Sequence, residues 1–364
     1  MARRGLPTAT GLCGQTVPPL FRAMRVLIVR LGAFGDILHT LPLAADLAAA
    51  GHQVGWLCED RWLPVIDGSP ALRWLHGLPR RALKGGPDWP WQRRSTALRQ
   101  VVRGLRRQHY DVVIDAQGLA KSAVLATMSG AARRISHRRP RAREGAWLLS
   151  HARTPVGADH VIDQQRALGL PLTKGRISGP WQFPLPAWEA EHAAGERWLH
   201  AQGLVRPWML NVGAGWPTKV WPRERQIAFV RAAFDRLQRS VVLVWGNGEE
   251  EALARDIAQQ AGGAIVAPRT TIPELAGLIA HAGVMISGDT GPLHLALALG
   301  TPAVGLFGPV PATRNGPRGC GYRTFQAPGA AWERRDVSKV DLGAIAAGSV
   351  VEAAAAAAAE GSGR

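Results

Sequence analysis

A chain of 364 residues exceeds what one compact core accommodates, so two domains of roughly 150–200 residues each are expected. Hydrophobic residues at 46% and charged residues at 20% are ordinary for a folded protein and exclude a disordered or fibrous one. The 44 Lys and Arg against 27 Asp and Glu leave a formal charge of +17, which calls for an anionic partner: nucleic acid, a phospholipid surface or a phosphorylated substrate.

Residues 1–23 are basic, aperiodic and without a continuous apolar core, so a disordered leader or an upstream mis-start is expected there rather than a signal peptide. The fold is expected to begin at Met24 with "MRVLIVR", whose Val26–Val29 reads as a buried strand. A glycine-bearing loop, "RLGAFGD", leads into a helix over Asp36–Ala50, with Asp36 in the capping position and Gly51 ending it. A second strand, Val54–Leu57, a basic helix, Arg93–Gln108, and a third strand, Val112–Ile114, with the turn of "YDVVIDAQG", complete the first series. Continuous apolar strands separated by helices indicate parallel βαβ units.

A Pro- and Gly-rich stretch at 170–186 interrupts the pattern and places a linker at 176–186, between domains over 24–175 and 187–330. The second series repeats the first: strand and turn in "WMLNVGAG", helix Arg223–Gln238, strand and turn in "VVLVWGNG", helix Glu249–Gln260, strand, loop and helix in "VMISGDTGPLHLALALG", and a last strand in "PAVGLFGP". Residues 331–364, with seven consecutive alanines from Ala353, read as a low-complexity tail, helical or frayed. Two such halves give an α/β protein of two Rossmann-like domains, whose parallel sheets face each other across a cleft where ligands bind.

Cys13, Cys58 and Cys320 are odd in number and widely spaced, which suggests neither a disulfide framework nor a zinc site and makes a reducing cytosol the default. No stretch approaches the ~18 apolar residues of a membrane span, so attachment to a membrane surface is the most that is expected.

In "ISGDTGPLHLALALG" the glycines at 288 and 291 permit a tight turn, Pro292 suits the first helical position, and Gly300 closes the helix. The N–H groups of Thr290 and Gly291 and the positive helix end form an anion site suited to a diphosphate, with His294 one turn in at the same mouth. The same residues equally describe a well-capped helix with Asp289 as its cap. In "GAGWPTKVWP" small residues follow a strand and Lys219 stands in reach of a phosphate, although a single lysine is usually a solvated one. Glu249 in "VWGNGEEEALA" suits either a ribose hydroxyl or the helix dipole; for Glu250 and Glu251 the dipole suffices.

Positive charge concentrates in the first half. Residues 78–107 hold nine Lys and Arg against Asp88, and residues 133–143 hold six Arg, so the anionic partner meets the N-terminal domain. Trp89 and Trp91 interrupt the first cluster and suit a lipid headgroup boundary. No recognition helix or aromatic RNA platform accompanies the charge, so nucleic acid is not expected. The glycine fingerprint of dinucleotide folds, the P-loop, HExxH, GxSxG and a DxD metal pair are all missing.

The five stretches "MRVLIVRLGAFGDILHTLP", "YDVVIDAQGLAKSA", "GAGWPTKVWP", "WGNGEEEALA" and "SGDTGPLHLALALGTPAVGLFGP", spread over Met24 to Pro328, resemble in order the lipopolysaccharide heptosyltransferases. These are inverting, ADP-heptose-using glycosyltransferases of GT-B fold. "GDILHTLP" and "IDAQGLAKSA" are most similar to the heptosyltransferase I branch, which adds the first heptose to the Kdo of Kdo2-lipid A. The second and third heptosyltransferases are the alternatives within the family, and a non-catalytic nucleotide- or anionic-lipid-binding protein is the alternative outside it. The resemblance implies that Asp36 is the catalytic base as well as a cap. It implies that Ala214, Gly215, Lys219, Glu249, Thr270, Asp289, Thr290, Gly291 and His294 bind ADP-L-glycero-D-manno-heptose, the first two through backbone alone. Arg80, Arg81, Lys84 and Lys121 would meet the acceptor's carboxylates and phosphates. It further implies no metal or other cofactor, a monomer, and a cytoplasmic enzyme peripheral on the inner membrane's cytoplasmic face, where Kdo2-lipid A lies.

Overall fold

The computed structural model describes residues 22–361 apart from 155, 156, 158, 176, 178 and 331–339. Most of the expected leader, up to residue 21, and part of the expected linker therefore lie outside the described residues.

The first lobe contains β1 (Arg25–Val29), α1 (Phe34–Ala49), β2 (Gln53–Glu59), α2 (Leu63–Ile66), β3 (Trp74–Leu78), α3 (Arg80–Lys84), α4 (Trp91–Arg107), β4 (Val112–Asp115), α5 (Ala120–Met128), β5 (Arg133–His137), β6 (Ala152–Thr154) and α6 (Val161–Ala167). The second contains α7 (Glu189–Ala201), β7 (Trp208–Asn211), α8 (Arg223–Leu237), β8 (Val241–Val244), α9 (Gly248–Gln260), β9 (Ala264–Val266), α10 (Ile272–Ala280), β10 (Val284–Gly288), α11 (Gly291–Leu299), β11 (Ala303–Phe307), α12 (Ala312–Asn315), β12 (Tyr322–Gln326) and α13 (Ala347–Gly361).

Each lobe builds a six-stranded parallel sheet, in the orders β3-β2-β1-β4-β5-β6 and β12-β11-β10-β7-β8-β9. These are one winding used twice, and in each the chain reverses direction between the two central strands, β1 and β4 or β7 and β10. Successive side chains of a strand leave on opposite faces. Val26 and Ile28 of β1 accordingly pack on Ile37, Leu38 and Leu41 of α1, whereas Leu27 and Val29 pack on Leu105 of α4 and Leu125 of α5. The same alternation puts Met285 of β10 on one face and Val284 and Ile286 on the other. Burial on both faces is why these strands read as unbroken apolar runs, each fully buried Leu or Ile contributing about 1.5–3 kcal/mol. The core carrying α1 is continuous with that carrying α11, through Leu293 and Leu295, so the lobes meet along these two helices.

One expectation is corrected here, and of the two alternatives for the alanine-rich end the structure takes the helical one. "PAVGLFGP" supplies β11 but not the last strand, because β12 adds beside it with Tyr322 opposite Ala303. The alanine-rich end is a packed helix: Val350, Val351, Ala354 and Ala357 of α13 are buried in the core of the second lobe with Val304 and Leu306. Alanine lets this helix lie close to the sheet, and it is the residue that favours helix most.

Candidate active site

Strand register delivers the site. β1 and β4 end side by side, with Val29 level with Asp115, and the loops after them hold each other. Asp115 is buried and accepts the N–H groups of Gln117 (3.1 Å) and Gly118 (3.0 Å), closing the turn of "IDAQG". That turn presents the Ala116 carbonyl to Arg30 Nη1 (2.5 Å) and Gln117 Oε1 to the Leu31 N–H (3.1 Å). Arg30, itself buried, then places Nη2 2.7 Å from Oδ1 of Asp36.

Asp36 is not the cap of α1. Ala33 holds that position, and Asp36 is three residues further on, its Oδ2 accepting the Ala33 N–H at 3.1 Å. The side chain is 40% exposed, open to a ligand. Burial of the surroundings pushes its carboxyl up, but the Arg30 guanidinium, the Ala33 N–H and the charge of Arg141 outweigh that and hold it below the usual carboxylate range. The group is an anion at neutral pH, able to accept a proton.

The second lobe answers with its own two central strands. Asp289, after β10, is 2% exposed and not a cap either; Thr290 is the N-cap of α11, Gly291 the first residue and Pro292 the second. Lys219, in the short 3-10 turn Pro217–Lys219 after β7, donates from Nζ to Asp289 Oδ2 (2.5 Å) and to its carbonyl (2.8 Å). Asp289 Oδ1 accepts from His294 Nε2 (3.2 Å) and Asn315 Nδ2 (3.3 Å). Burial raises the Asp289 carboxyl, yet the His294 hydrogen bond and the Lys219 ammonium hold it far below the carboxylate range. The Thr290 N–H is not free, since it donates to the Gly288 carbonyl at 2.7 Å. The Thr290 hydroxyl is tied to Ser287 and to Asn211, which also bonds the Gly213 carbonyl and so joins the two loops. The amides that open α11 remain for a ligand, as at any helix start.

The two mouths touch. A Cβ on Gly35 would lie 2.6 Å from His294 Cδ2, and one on Gly291 would lie 2.0 Å from the Phe34 ring, so only glycine allows the N-termini of α1 and α11 to meet. His39 of α1 stands 3.1 Å by Nε2 from His294 Nδ1. The carboxylate of Asp289 can only accept, so His294 donates from Nε2, and one proton lies between the two imidazoles. Burial, with the neighbouring imidazoles, keeps His39 neutral. Two positive helix ends, Lys219, Arg30 and Arg141 thus converge between two carboxylates, an arrangement suited to a diphosphate beside a proton acceptor.

The other expected donor residues line the ends of the strands in sheet order. Asp289 and Thr290 follow β10, Ala214, Gly215 and Lys219 follow β7, Glu249 opens α9 after β8, and Thr270 follows β9. Neighbouring strands lie about 4.8 Å apart, so this row matches an extended nucleotide. Ala214 is half-buried, whereas Gly215 and the Glu249 side chain are exposed. Glu250 is the acid that folds inward: it accepts the Gly246 N–H at 2.6 Å and fills the space beside Gly213. Thr270 precedes Thr271, the residue that caps α10.

The structure does not gather the expected acceptor residues around Asp36. Arg80, Arg81 and Lys84 are exposed on α3, after the edge strand β3, with Arg80 3.9 Å from Glu59 and Arg81 3.8 Å from Asp88. Lys121 is exposed on α5, on the opposite flank. Sequence reasoning missed Arg30, His39, Asn315 and Arg141. Of these, Arg141 faces Asp36, Arg30, Arg143 and, from the other lobe, Arg314; burial and those guanidinium charges lower it to about 10, leaving it a cation. A charged residue closing a fully buried strand was the available signal for Arg30. Among the described residues no cluster of three or more His, Cys, Asp or Glu is placed to hold a metal ion, and no helix is long and apolar enough to cross a membrane.

Known proteins share this sequence pattern and this fold. Residues 98–340 match the family described as glycosyltransferase family 9 (heptosyltransferase). Lipopolysaccharide heptosyltransferase 1 of Salmonella typhimurium is 32% identical over 302 residues, 79% of this chain and 89% of that one. Its counterpart from Pseudomonas aeruginosa is 31% identical over 303 residues, 79% of each chain. The solved structure of E. coli heptosyltransferase WaaC with ADP superposes with a TM-score of 0.73 at 25% identity, covering 90% of this chain and 98% of that one. With its twice-used α/β winding of GT-B type and these relatives, the chain belongs to glycosyltransferase family 9, the heptosyltransferases.

Proposed function

We propose that this protein transfers L-glycero-D-manno-heptose from ADP-heptose to the Kdo of Kdo2-lipid A, with Asp36 as the base. The observation that carries the reading is the meeting of α1 and α11 at Gly35 and His294, which sets the ionised Asp36 opposite the Lys219–Asp289 loop. The similarity to two lipopolysaccharide heptosyltransferases 1 supports the acceptor.

In this mechanism the acceptor hydroxyl attacks the anomeric carbon of the heptose in line with the departing ADP, which inverts that carbon. Asp36 takes the hydroxyl proton as the bond forms, and Arg30 fixes the carboxylate toward it. Lys219 and the first amides of α11 receive the charge that develops on the diphosphate, so the reading assigns no step to a metal. Glu249 and Thr270 take the ribose and adenine in the row described above, and Arg80, Arg81, Lys84 and Lys121 meet the acceptor's anionic groups from its two flanks. The enzyme works as a monomer on the cytoplasmic face of the inner membrane.

The test is incubation with ADP-heptose and either Kdo2-lipid A or its monoheptosylated form, with the anomeric configuration of the product read by NMR. Turnover on the first and inversion are expected; turnover on the second alone assigns the chain to a later heptose. Arg30 has its own signature. Arg30→Gln removes the cation that holds the Asp36 carboxyl down, so the acid limb of the kcat/KM profile moves to higher pH, and the freed carboxylate lowers kcat by up to about 10²-fold. An unmoved acid limb would remove Arg30 from this role.

A further inference from the structure

We propose that the outer face of α5 and the adjoining turn Ala146–Leu149 dock on an anionic phospholipid surface, holding the cleft against the membrane that carries the acceptor. This inference rests on the lipid-linked acceptor proposed above and adds the surface that meets the lipid.

The observation is a cluster of four exposed apolar side chains on two packed segments; the other exposed large apolar residues among those described, Trp91, Val205, Trp216 and Leu237, lie on separate segments. Val124 is 47% exposed and Met128, one turn further along α5, 37%. Leu148 is 69% and Leu149 37% exposed in the neighbouring turn. The two segments are locked together beneath the patch, where Ala123 packs on Ala142 and Ala146 with Trp147 against them. The patch is therefore a rigid surface and not a loose loop.

Its rim is cationic and equally fixed. Arg106 donates from Nε to the Met128 carbonyl (3.0 Å), Arg134 to that of Leu149 (2.6 Å) and Arg153 to that of Trp147 (2.9 Å). The Arg139 guanidinium lies 4.7 Å over the Trp147 ring. Lys121 stands one turn before Val124 on the exposed side of α5. Glu144, the one acid in the sequence from 116 to 153, is engaged with the Ala120 N–H at 3.2 Å.

Apolar side chains at the centre of a ring of guanidinium groups match an anionic bilayer, whose acyl boundary takes the former and whose phosphates take the latter. A protein partner would have to bring a surface of acids around its own apolar centre. Orientation favours the lipid as well. α5 begins at the end of β4, whose turn holds Arg30 and through it Asp36, so the patch runs outward from the mouth of the site.

The experiment uses the full chain and vesicles of phosphatidylglycerol mixed with phosphatidylcholine, against phosphatidylcholine alone. Co-sedimentation is expected with the first, weakening as salt rises, and not with the second. Val124→Asp combined with Leu148→Asp is expected to cut the partition coefficient by at least about tenfold, and Arg134→Glu with Arg139→Glu likewise. Val124, Leu148 and Arg139 are exposed and Arg134 is half-buried, and an unchanged thermal midpoint verifies the fold of each variant. Heptose transfer to an acyl-free, water-soluble acceptor is expected to stay at the wild-type rate in both, while transfer to acceptor embedded in vesicles falls. Equal sedimentation of wild type and variants overturns the docking surface, as does a wild-type dimer, seen by sedimentation velocity, that the variants dissociate. If the vesicle results hold but the wild type transfers no heptose even to the soluble acceptor, the surface stands and the proposed function fails.

Discussion

Replacing Asp36 by Asn is expected to lower kcat for heptose transfer by about 10²–10⁴-fold, the range that a positioned general base supplies, and to leave the binding of ADP unchanged. The amide keeps the shape of the side chain and its hydrogen bond from Ala33, so α1 retains its first turn. What it loses is the capacity to take a proton. It also leaves the buried Arg30 without its anion, a cost to stability held down because Asp36 is 40% exposed and water reaches the pair. Single-turnover rates measured beside the ADP dissociation constant separate the two effects. Full activity would refute the base assignment, and loss of ADP binding would place Asp36 in the donor site. The pH profile gives a further check. The wild-type carboxyl is held below the ordinary range, so the acid limb lies below that of a free aspartate, and the residual activity of the amide variant shows no limb there.

Much of this was legible before any coordinates. The doubly buried strands β1, β7, β8, β10 and β11 announce themselves as apolar runs because both of their faces meet helices. β3, β5, β6, β9 and β12 did not, for a physical reason: β3, β9 and β12 are edge or near-edge strands with half-buried residues, β6 has three residues, and β5 opens on Arg133 and Arg134. The alanine tail of α13 was opaque because its burial depends on a sheet formed far earlier in the chain.

The site shows the same division. The motifs placed Asp36, Lys219, Asp289 and His294 at the ends of strands, since glycine turns and helix starts are local signals. Their partners were not local. The Arg30–Asp36 pair needs the β4 turn to aim it, the Lys219–Asp289 pair spans 70 positions, and the His39–His294 contact spans 255. Composition tells that guanidinium groups are abundant but not which of them a folded loop turns inward, so Arg141 stayed hidden among six arginines. The sequence puts Asp36 in the capping position and offers Asp289 as a cap in one of two readings, and in both helices an earlier or later residue, Ala33 or Thr290, is the cap. A cap keeps its carboxylate on its own amides. One or three positions away, the same carboxylate is turned toward a cation or a substrate.

Lys219→Met is expected to remove donor binding and destabilise the second lobe together, and a second substitution separates the two. Lys219 is 15% exposed and Asp289 2%. Removing the ammonium strands a buried carboxylate, at a cost of about 3 kcal/mol, the lower end for breaking such pairs, because His294 and Asn315 still donate to it. The loss grows with pH in a defined way. The folded carboxyl lies far below its unfolded value of about 3.9, so the stability that this pair contributes is complete above that value and fades as pH falls toward the folded one. Wild type and variant therefore differ most in denaturant midpoint at neutral pH and converge in strong acid. Adding Asp289→Asn to Lys219→Met removes the stranded charge, and the midpoint is expected to recover most of the loss. Turnover is not. The diphosphate still lacks its cation, and kcat/KM stays about 10²–10³-fold down, as for loss of one preorganised donor to a developing charge. Recovery of turnover with stability in the double variant would make the pair purely structural and leave the diphosphate to α11 alone. Persistent loss of turnover in a refolded lobe shows that Asp289 holds the ammonium in place and the ammonium holds the departing ADP.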